Sequence, residues 1–240
     1  MKRVLRKDGT CWVVMGDTYN SHSCGNGNVG GIEGKRKNKQ DNRANIYRKI
    51  KYSDKSLLQI PSRFAIMMID HGWILRNEII WQKPNAMPSS VKDRFTVDFE
   101  KVFFFVKNKK YWFEQQFEPL KSLDNLKRTS KNGQGNGQLG KSVRFGSKEK
   151  GRNKRCVWQI PTKPFKEAHF AVFPPTLIEP MIKAGCPENG IVLDPFIGSG
   201  TVAEVALKLN RRFMGIELNP KYCEMAKNRI SKVQPKLFTA

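Results

Sequence analysis

Three things are scarce in this chain: acid, paired cysteine and long apolar sequence. Its 240 residues set 21 Asp and Glu against 44 Lys and Arg, a formal net charge of +23. Solubility asks for far less, and a field of this sign favours a polyanionic partner, of which the phosphate backbone is the commonest. A basic protein of the ribosomal kind, without chemistry, is the plainer alternative at this point. The cysteines are Cys11, Cys24, Cys156, Cys186 and Cys223, an odd number without a Cys-x-x-Cys pair, and three histidines accompany them. That argues against a disulfide scaffold or a structural zinc and for a reducing cytosol. No run of 18 apolar residues and no signal-like start occurs, so the expected setting is soluble and cytoplasmic.

Enough apolar sequence remains, 39% of residues, to bury one substantial core. "TCWVVMG" at 10–16 reads as a strand, and the Gly- and Asn-rich residues after it read as a loop. That loop runs into 35–51, an exposed stretch with eight basic residues against the single acid Asp41. Phe64, Ala65, Met68 and Ile69 recur at helical spacing behind Pro61, until Gly72 stops the helix. "WILRNEIIW" at 73–81 and "KVFFFV" at 101–106 read as strands across a proline-containing loop, with "KKYWF" as an aromatic edge or continuation. Residues 121–155 then hold eleven Lys or Arg, two acids and six glycines, with little periodicity. Order returns at "CVWQIP", 156–161. A helix is expected over 174–185, with Pro180 predicting a kink or an early end. From 186 the alternation is that of an α/β fold, with Val202, Val205, Ala206 and Leu209 as one apolar helical stripe.

The segment "VLDPFIGSGTVAEVALKLNRRFMGIELNPKY", 192–222, has the form strand, glycine turn, helix, strand. Ligands of parallel sheets sit beyond the carboxyl ends of the strands. Asp194 closes the first strand, Gly198 and Gly200 let the backbone turn tightly, and Glu217 comes at the tip of the second strand. There its carboxylate could accept both hydroxyls of a ribose. A tight structural turn is the plainer reading of the glycines, and a helix cap that of Glu217. Gly198, Gly200 and Ala203 also satisfy a dinucleotide spacing, but a carboxylate opening the loop repels a pyrophosphate and suits an amine. An adenosine-containing ligand without a diphosphate fits better.

These residues, with "GDTY" at 16–19, "GWILRNEIIWQKPNAMPSSVKDR" at 72–94, "KVFFFVKNKKYWF" at 101–113 and "VWQIPTKPFKEAHFAVFPPTLIEPMI" at 157–182, closely resemble the S-adenosylmethionine-dependent DNA amino-methyltransferases. The resemblance is to the permuted, beta-class branch, in which the catalytic half precedes the cofactor half. It implies an α/β, Rossmann-like methyltransferase sheet, circularly permuted. It also implies transfer of a methyl group from S-adenosyl-L-methionine to an exocyclic amine, cytosine N4 in preference to adenine N6. By matching motifs, Phe196, Gly198, Ser199 and Gly200 wrap the methionine part while Asp194 meets it through water or an amine hydrogen bond. Glu217 takes the ribose and Leu218 flanks the adenine. His169 and Phe170 belong to the segment that folds back toward the methionine end, with a packed or surface role as the alternative.

One motif of that family is not found: an Asp, Ser or Asn followed by two prolines and an aromatic ring, which accepts hydrogen bonds from the target amine and stacks on the base. "NPKY" at 219–222 has Lys221 in place of the second proline and should open a helix, "DPF" at 194–196 belongs to the cofactor turn, and "FPP" at 173–175 lacks an amine acceptor. In the family the strand bearing this loop lies between the strands here at 191–194 and 11–15, so the sheet is expected to miss one central strand. The chain is then an incomplete product, half of a split enzyme completed by a second chain, or a binding remnant without catalysis. The division expected is 1–120 as the catalytic-half remnant, 121–155 as a basic target-recognition insertion or linker, and 156–240 as the cofactor half. Double-stranded DNA is the expected partner. Lys35, Arg36 and Lys37 would clamp phosphates, while Arg144, Arg152 and Arg155 would reach phosphates or base edges, and Trp158 would stack or anchor.

Overall fold

The computed structural model describes residues 1–20, 52–119, 151–163 and 172–233. In chain order these form β1 (Thr10–Met15), α1 (Ile60–Asp70), β2 (Ile74–Gln82), β3 (Phe99–Val106), β4 (Phe117–Glu118), β5 (Arg152–Asn153), β6 (Val157–Gln159), α2 (Pro175–Gly185), β7 (Ile191–Asp194), α3 (Thr201–Lys208), β8 (Arg212–Gly215) and α4 (Pro220–Ser231). The main sheet has the order β1-β3-β2-β6, with β3 antiparallel to both neighbours and β6 parallel to β2. β7 and β8 pair in parallel as a separate ribbon, and β4 and β5 form a short antiparallel one. Among the described residues β1 pairs only with β3, and β7 only with β8.

The unbroken apolar run of β3 suits a strand covered on both faces. Phe103 and Phe105 point to one side, where Phe64 and Ala65 of α1 and Trp73 close over them. Val102 points to the other side and joins Ile79 and Trp81 of β2 against Leu177, Ile178, Met181 and Ile182 of α2 and Val205 and Ala206 of α3. Val192 of β7 and Phe213 of β8 pack on this same cluster, so the two sheets share one core. The apolar stripe of α3 faces it as expected. Trp12 stacks on Phe104 with ring centroids 4.3 Å apart.

Two expectations are corrected. Residues 111–113 are not a strand. β3 already has a partner on each side, so Tyr111 and Phe113 pack their rings against Phe104 instead, the first edge-on at 5.8 Å and the second stacked at 5.6 Å. Pro180 does not end α2, which runs on to Gly185. The proline forfeits one amide bond of the helix, and the buried side chains on both sides of it hold the helix to the core.

Apart from β3, the strands of the main sheet share a direction. β1 and β2 are both antiparallel to β3, hence parallel to each other. α2 runs back along them, since Phe173 just before it meets Trp81 near the end of β2 (6.2 Å), while the carbonyl of Gly185 at its end accepts from the Thr10 hydroxyl at the start of β1 (2.9 Å). β7 then turns forward again. The loops after β1, β2, β6, β7 and β8 therefore meet at one carboxyl edge. There Asp17 reaches α1, its Oδ1 accepting from the Ile60 amide at 3.0 Å, which caps a helix whose own first side chains provide no cap.

Candidate functional site at the carboxyl edge of β7 and β8

β7 and β8 end level, at Asp194 and Gly215. The Ile216 amide donates to the Asp194 carbonyl (3.0 Å) and the Ile197 amide to the Ile216 carbonyl (3.1 Å), which folds the glycine turn back over the end of β8. A Cβ at Gly215 would collide with the Ile197 side chain, so the fold-back requires a glycine in β8. Gly198 and Gly200 hold φ of 51° and 86°, the left-handed region that favours glycine. The space around Gly198 is open, its nearest neighbour to a Cβ being the Phe196 carbonyl at 3.9 Å. At Gly200 a Cβ would meet Ala226 of α4 at 2.9 Å.

Glu217 lies two residues beyond β8 and clasps the turn. Its Oε2 accepts from the Gly198 amide (3.0 Å) and its Oε1 from the Asn219 amide (2.8 Å). Each oxygen keeps a second lone pair, so the carboxylate can still accept from two vicinal hydroxyls. It is not the cap of α4: the Asn219 side chain accepts from the Lys221 amide at 3.0 Å and performs that role. "NPKY" thus opens a helix, as expected.

Asp194 Oδ1 accepts from the Phe196 amide at 3.0 Å. Burial pushes its carboxyl above the ordinary carboxylate range, the Phe196 hydrogen bond opposes this, and the nearby Glu217 charge adds to it. Among the described residues neither Asp194 nor Glu217 forms an ion pair. Two neighbouring carboxylates without a cation, over an open glycine backbone, suit a ligand that brings positive charge and hydroxyls and repel one that brings phosphate. S-adenosylmethionine, with an ammonium, a sulfonium and a ribose diol, fits this set. Phe196 and Leu218 flank the turn with 86% and 94% of their surface exposed.

Seven of the expected cofactor residues, Asp194, Phe196, Gly198, Ser199, Gly200, Glu217 and Leu218, thus surround one turn, while His169 and Phe170 lie outside the described residues. Ser199 has a different part from its neighbours. It is buried, and its hydroxyl accepts from Arg229 Nη1 (3.0 Å), which also reaches the Ser199 carbonyl and the Thr201 hydroxyl. Arg229 also pairs with Glu204. Burial pushes the Glu204 carboxyl up, but its bonds with Lys208 and Arg229 outweigh this and hold it below its usual range. No sequence signal marks Arg229, because its partners lie 25 to 30 residues away along the chain.

Of the expected DNA contacts, Lys35, Arg36, Lys37 and Arg144 lie outside the described residues. Arg152 and Arg155 both donate to Glu118 Oε1, at 2.7 and 2.6 Å. Burial raises the Glu118 carboxyl, and the Arg155 and Arg152 bonds more than reverse this. Trp158 is buried and donates to the Arg155 carbonyl (2.8 Å), which ties β6 to the residues just before it.

The sequence matches the DNA methylase family over residues 1–228. It is 41% identical to the Type II methyltransferase M.XycI of Xanthomonas campestris pv. cyanopsidis over 235 residues, 96% of this chain and 67% of that protein. It is 37% identical to the Type II methyltransferase M.SmaI of Serratia marcescens, covering 96% of this chain and 70% of the relative. The PvuII DNA methyltransferase, cytosine-N4-specific, shares the fold with a TM-score of 0.60 at 18% identity, over 97% of this chain and 67% of that one. TTHA0409 of Thermus thermophilus, solved with S-adenosyl-L-methionine, does so with a TM-score of 0.54 at 21% identity, over 98% and 74%.

Proposed function

Because the chain belongs to the DNA methylase family, whose members methylate DNA with S-adenosylmethionine, we propose that it serves transfer of that methyl group to an exocyclic amine of a base in duplex DNA, cytosine N4 in preference to adenine N6. The observation that carries the reading is the pair Asp194 and Glu217, two carboxylates without an ion-pair partner among the described residues, set around an open glycine turn. Glu217 would accept the ribose hydroxyls with its free lone pairs while still holding the Gly198 amide. Asp194 would face the ammonium, directly or through water, and Phe196 and Leu218 would close over the methionine and adenine parts. Bound S-adenosylmethionine supplies an electrophilic methyl, so the protein needs no nucleophile of its own. Its work is to align the target amine and exclude water. The preference for cytosine N4 rests on the resemblance of residues 72–113.

No Asp, Ser or Asn followed by two prolines and an aromatic ring occurs in the 240 residues. We place the amine-accepting loop on a strand that fits between the open edges of β1 and β7, contributed by further sequence or by a second chain. The alternative is a remnant that binds cofactor, DNA or both without transfer. The basic runs 35–51 and 121–155 would supply phosphate contacts, each contact adding about 0.9 to the logarithmic salt slope.

Calorimetric titration with S-adenosylmethionine tests the site: Glu217→Ala should weaken binding by about 1–3 kcal/mol. Equal affinities would remove Glu217 from the site, and a folded chain that binds none would remove the site. Transfer of labelled methyl to mixed-sequence duplex, followed by nucleoside analysis, identifies the acceptor. Activity that appears only when the bridging strand is added supports the division proposed, whereas strong turnover by these 240 residues alone overturns it.

A further inference from the structure

Single exposed apolar side chains are ordinary on protein surfaces. Here the four most exposed large ones among the described residues are Phe95 (96%), Leu218 (94%), Met87 (87%) and Phe196 (86%), and all four stand on loops of the same carboxyl edge. Leu218 and Phe196 belong to the cofactor turn. Phe95 and Met87 stand on the loop 83–98 between β2 and β3 and have no part in that turn.

This loop is firmly seated. The Lys83 amide donates to the Asp98 carbonyl (2.7 Å), and Asn85 bonds the Thr162 backbone in both directions, at 2.9 Å each. Just before Phe95, Asp93 pairs with Lys55 (2.7 Å) and the Arg94 guanidinium lies 3.9 Å over the Tyr19 ring. The backbone is thus fixed while the Phe95 ring makes no aromatic contact within the described residues. A pinned loop that presents a flat apolar ring to water has a large incentive to cover it. Its surroundings state the charge of the cover. Lys92 and Arg94 on the same loop are exposed, and Lys55, also exposed, comes up to Asp93 beside them.

We propose that Phe95, aided by Met87 on the same loop, is an apolar wedge that enters duplex DNA and stacks on a base, holding open the step from which the target base leaves. This rests on the DNA methyltransferase reading above. An aromatic ring suits the task because every base offers a π-face, while an aliphatic wedge separates a step without replacing its stacking. Phe95 makes no bond to the reacting atoms and is a positioning residue.

The test uses the full chain and a mixed pool of duplexes carrying 2-aminopurine, whose fluorescence rises on unstacking. Wild type should bind with a steep salt dependence and raise the fluorescence. Phe95→Ala should abolish the rise and weaken binding on the order of ten- to a hundredfold, with an unchanged salt slope, unchanged S-adenosylmethionine binding and an unchanged melting temperature. Phe95→Trp should restore both. A Phe95→Ala variant that binds and unstacks like wild type overturns the wedge, as does wild type that binds without any rise in fluorescence, and both leave the DNA reading standing. Wild type that takes cofactor but binds no duplex overturns the DNA reading, and the wedge with it.

Discussion

β3 and β7 are both apolar strands, yet they live in different surroundings. Val102 to Val106 of β3 are at most 2% exposed, whereas Ile191 of β7 is 55% exposed and Met214, on the paired strand, 58%. β3 has a strand on each side and helices over both faces. Among the described residues β7 has one strand beside it, and the face bearing Val192, with Phe213 of β8, packs on the helices. Firmness is concentrated in one sheet, and the proposed cofactor turn stands on the other, which depends on α2 and α3 for its place. The paired carboxylates, the glycines and the exposed Phe196 and Leu218 are tolerated at the end of the thinner support, where they disturb no layered packing.

That contrast can be broken at several points. The largest effect should come from Phe103→Ala, which empties the closed side of β3: a loss of about 3–5 kcal/mol in urea unfolding is expected, and a loss below 1 kcal/mol would mean that β3 is not the firm element. Gly200→Ala comes next. Its left-handed backbone and the Ala226 contact at 2.9 Å should cost about 1–3 kcal/mol, and calorimetry should show weaker cofactor binding even where the fold survives. Native-state hydrogen exchange sharpens the comparison further. Amides of β3 should exchange only through global unfolding and those of β7 and β8 through smaller openings, so equal protection would show one cooperative unit. The smallest effect concerns pH. Asp194 has a raised carboxyl pKa in the folded chain, so the free protein should lose a little stability as pH rises through that value, having kept it in full below the unfolded carboxylate range. A cationic ligand reverses the preference, and its binding should tighten over the same rise. Asp194→Asn should flatten both trends, and profiles that match wild type would separate the carboxyl from the site.

Much of this was legible in the sequence for a simple reason: the features are local. The run 101–106, the Pro61 helix start, the end of β7 at Asp194 and the glycine turn each lie within a few residues of what they do. What escaped depends on distance along the chain. Tyr111 and Phe113 look like strand residues until β3 is seen to have its partners already. Arg152 and Arg155 look free until Glu118, some thirty-five residues earlier, is brought beside them. Asp17 caps a helix 43 residues away. Glu217 was visible as an acid at a strand tip, but its grip on the Gly198 amide appears only once the turn folds back. Phe95 gave no signal either, since an exposed phenylalanine and a buried one are spelled alike.

The collision that a side chain at Gly215 would suffer with Ile197 bears on how such a loop can be transplanted. The turn at 195–200 does not carry its own shape: it borrows a flat seat from the neighbouring strand and a clasp from Glu217, two residues further on. Moved alone into another scaffold, it would meet a Cβ where it expects none and would splay outward. The unit that can be moved, and the unit that drift in the sequence must keep in step, is therefore two-part, a turn and its seat, separated by the whole of α3.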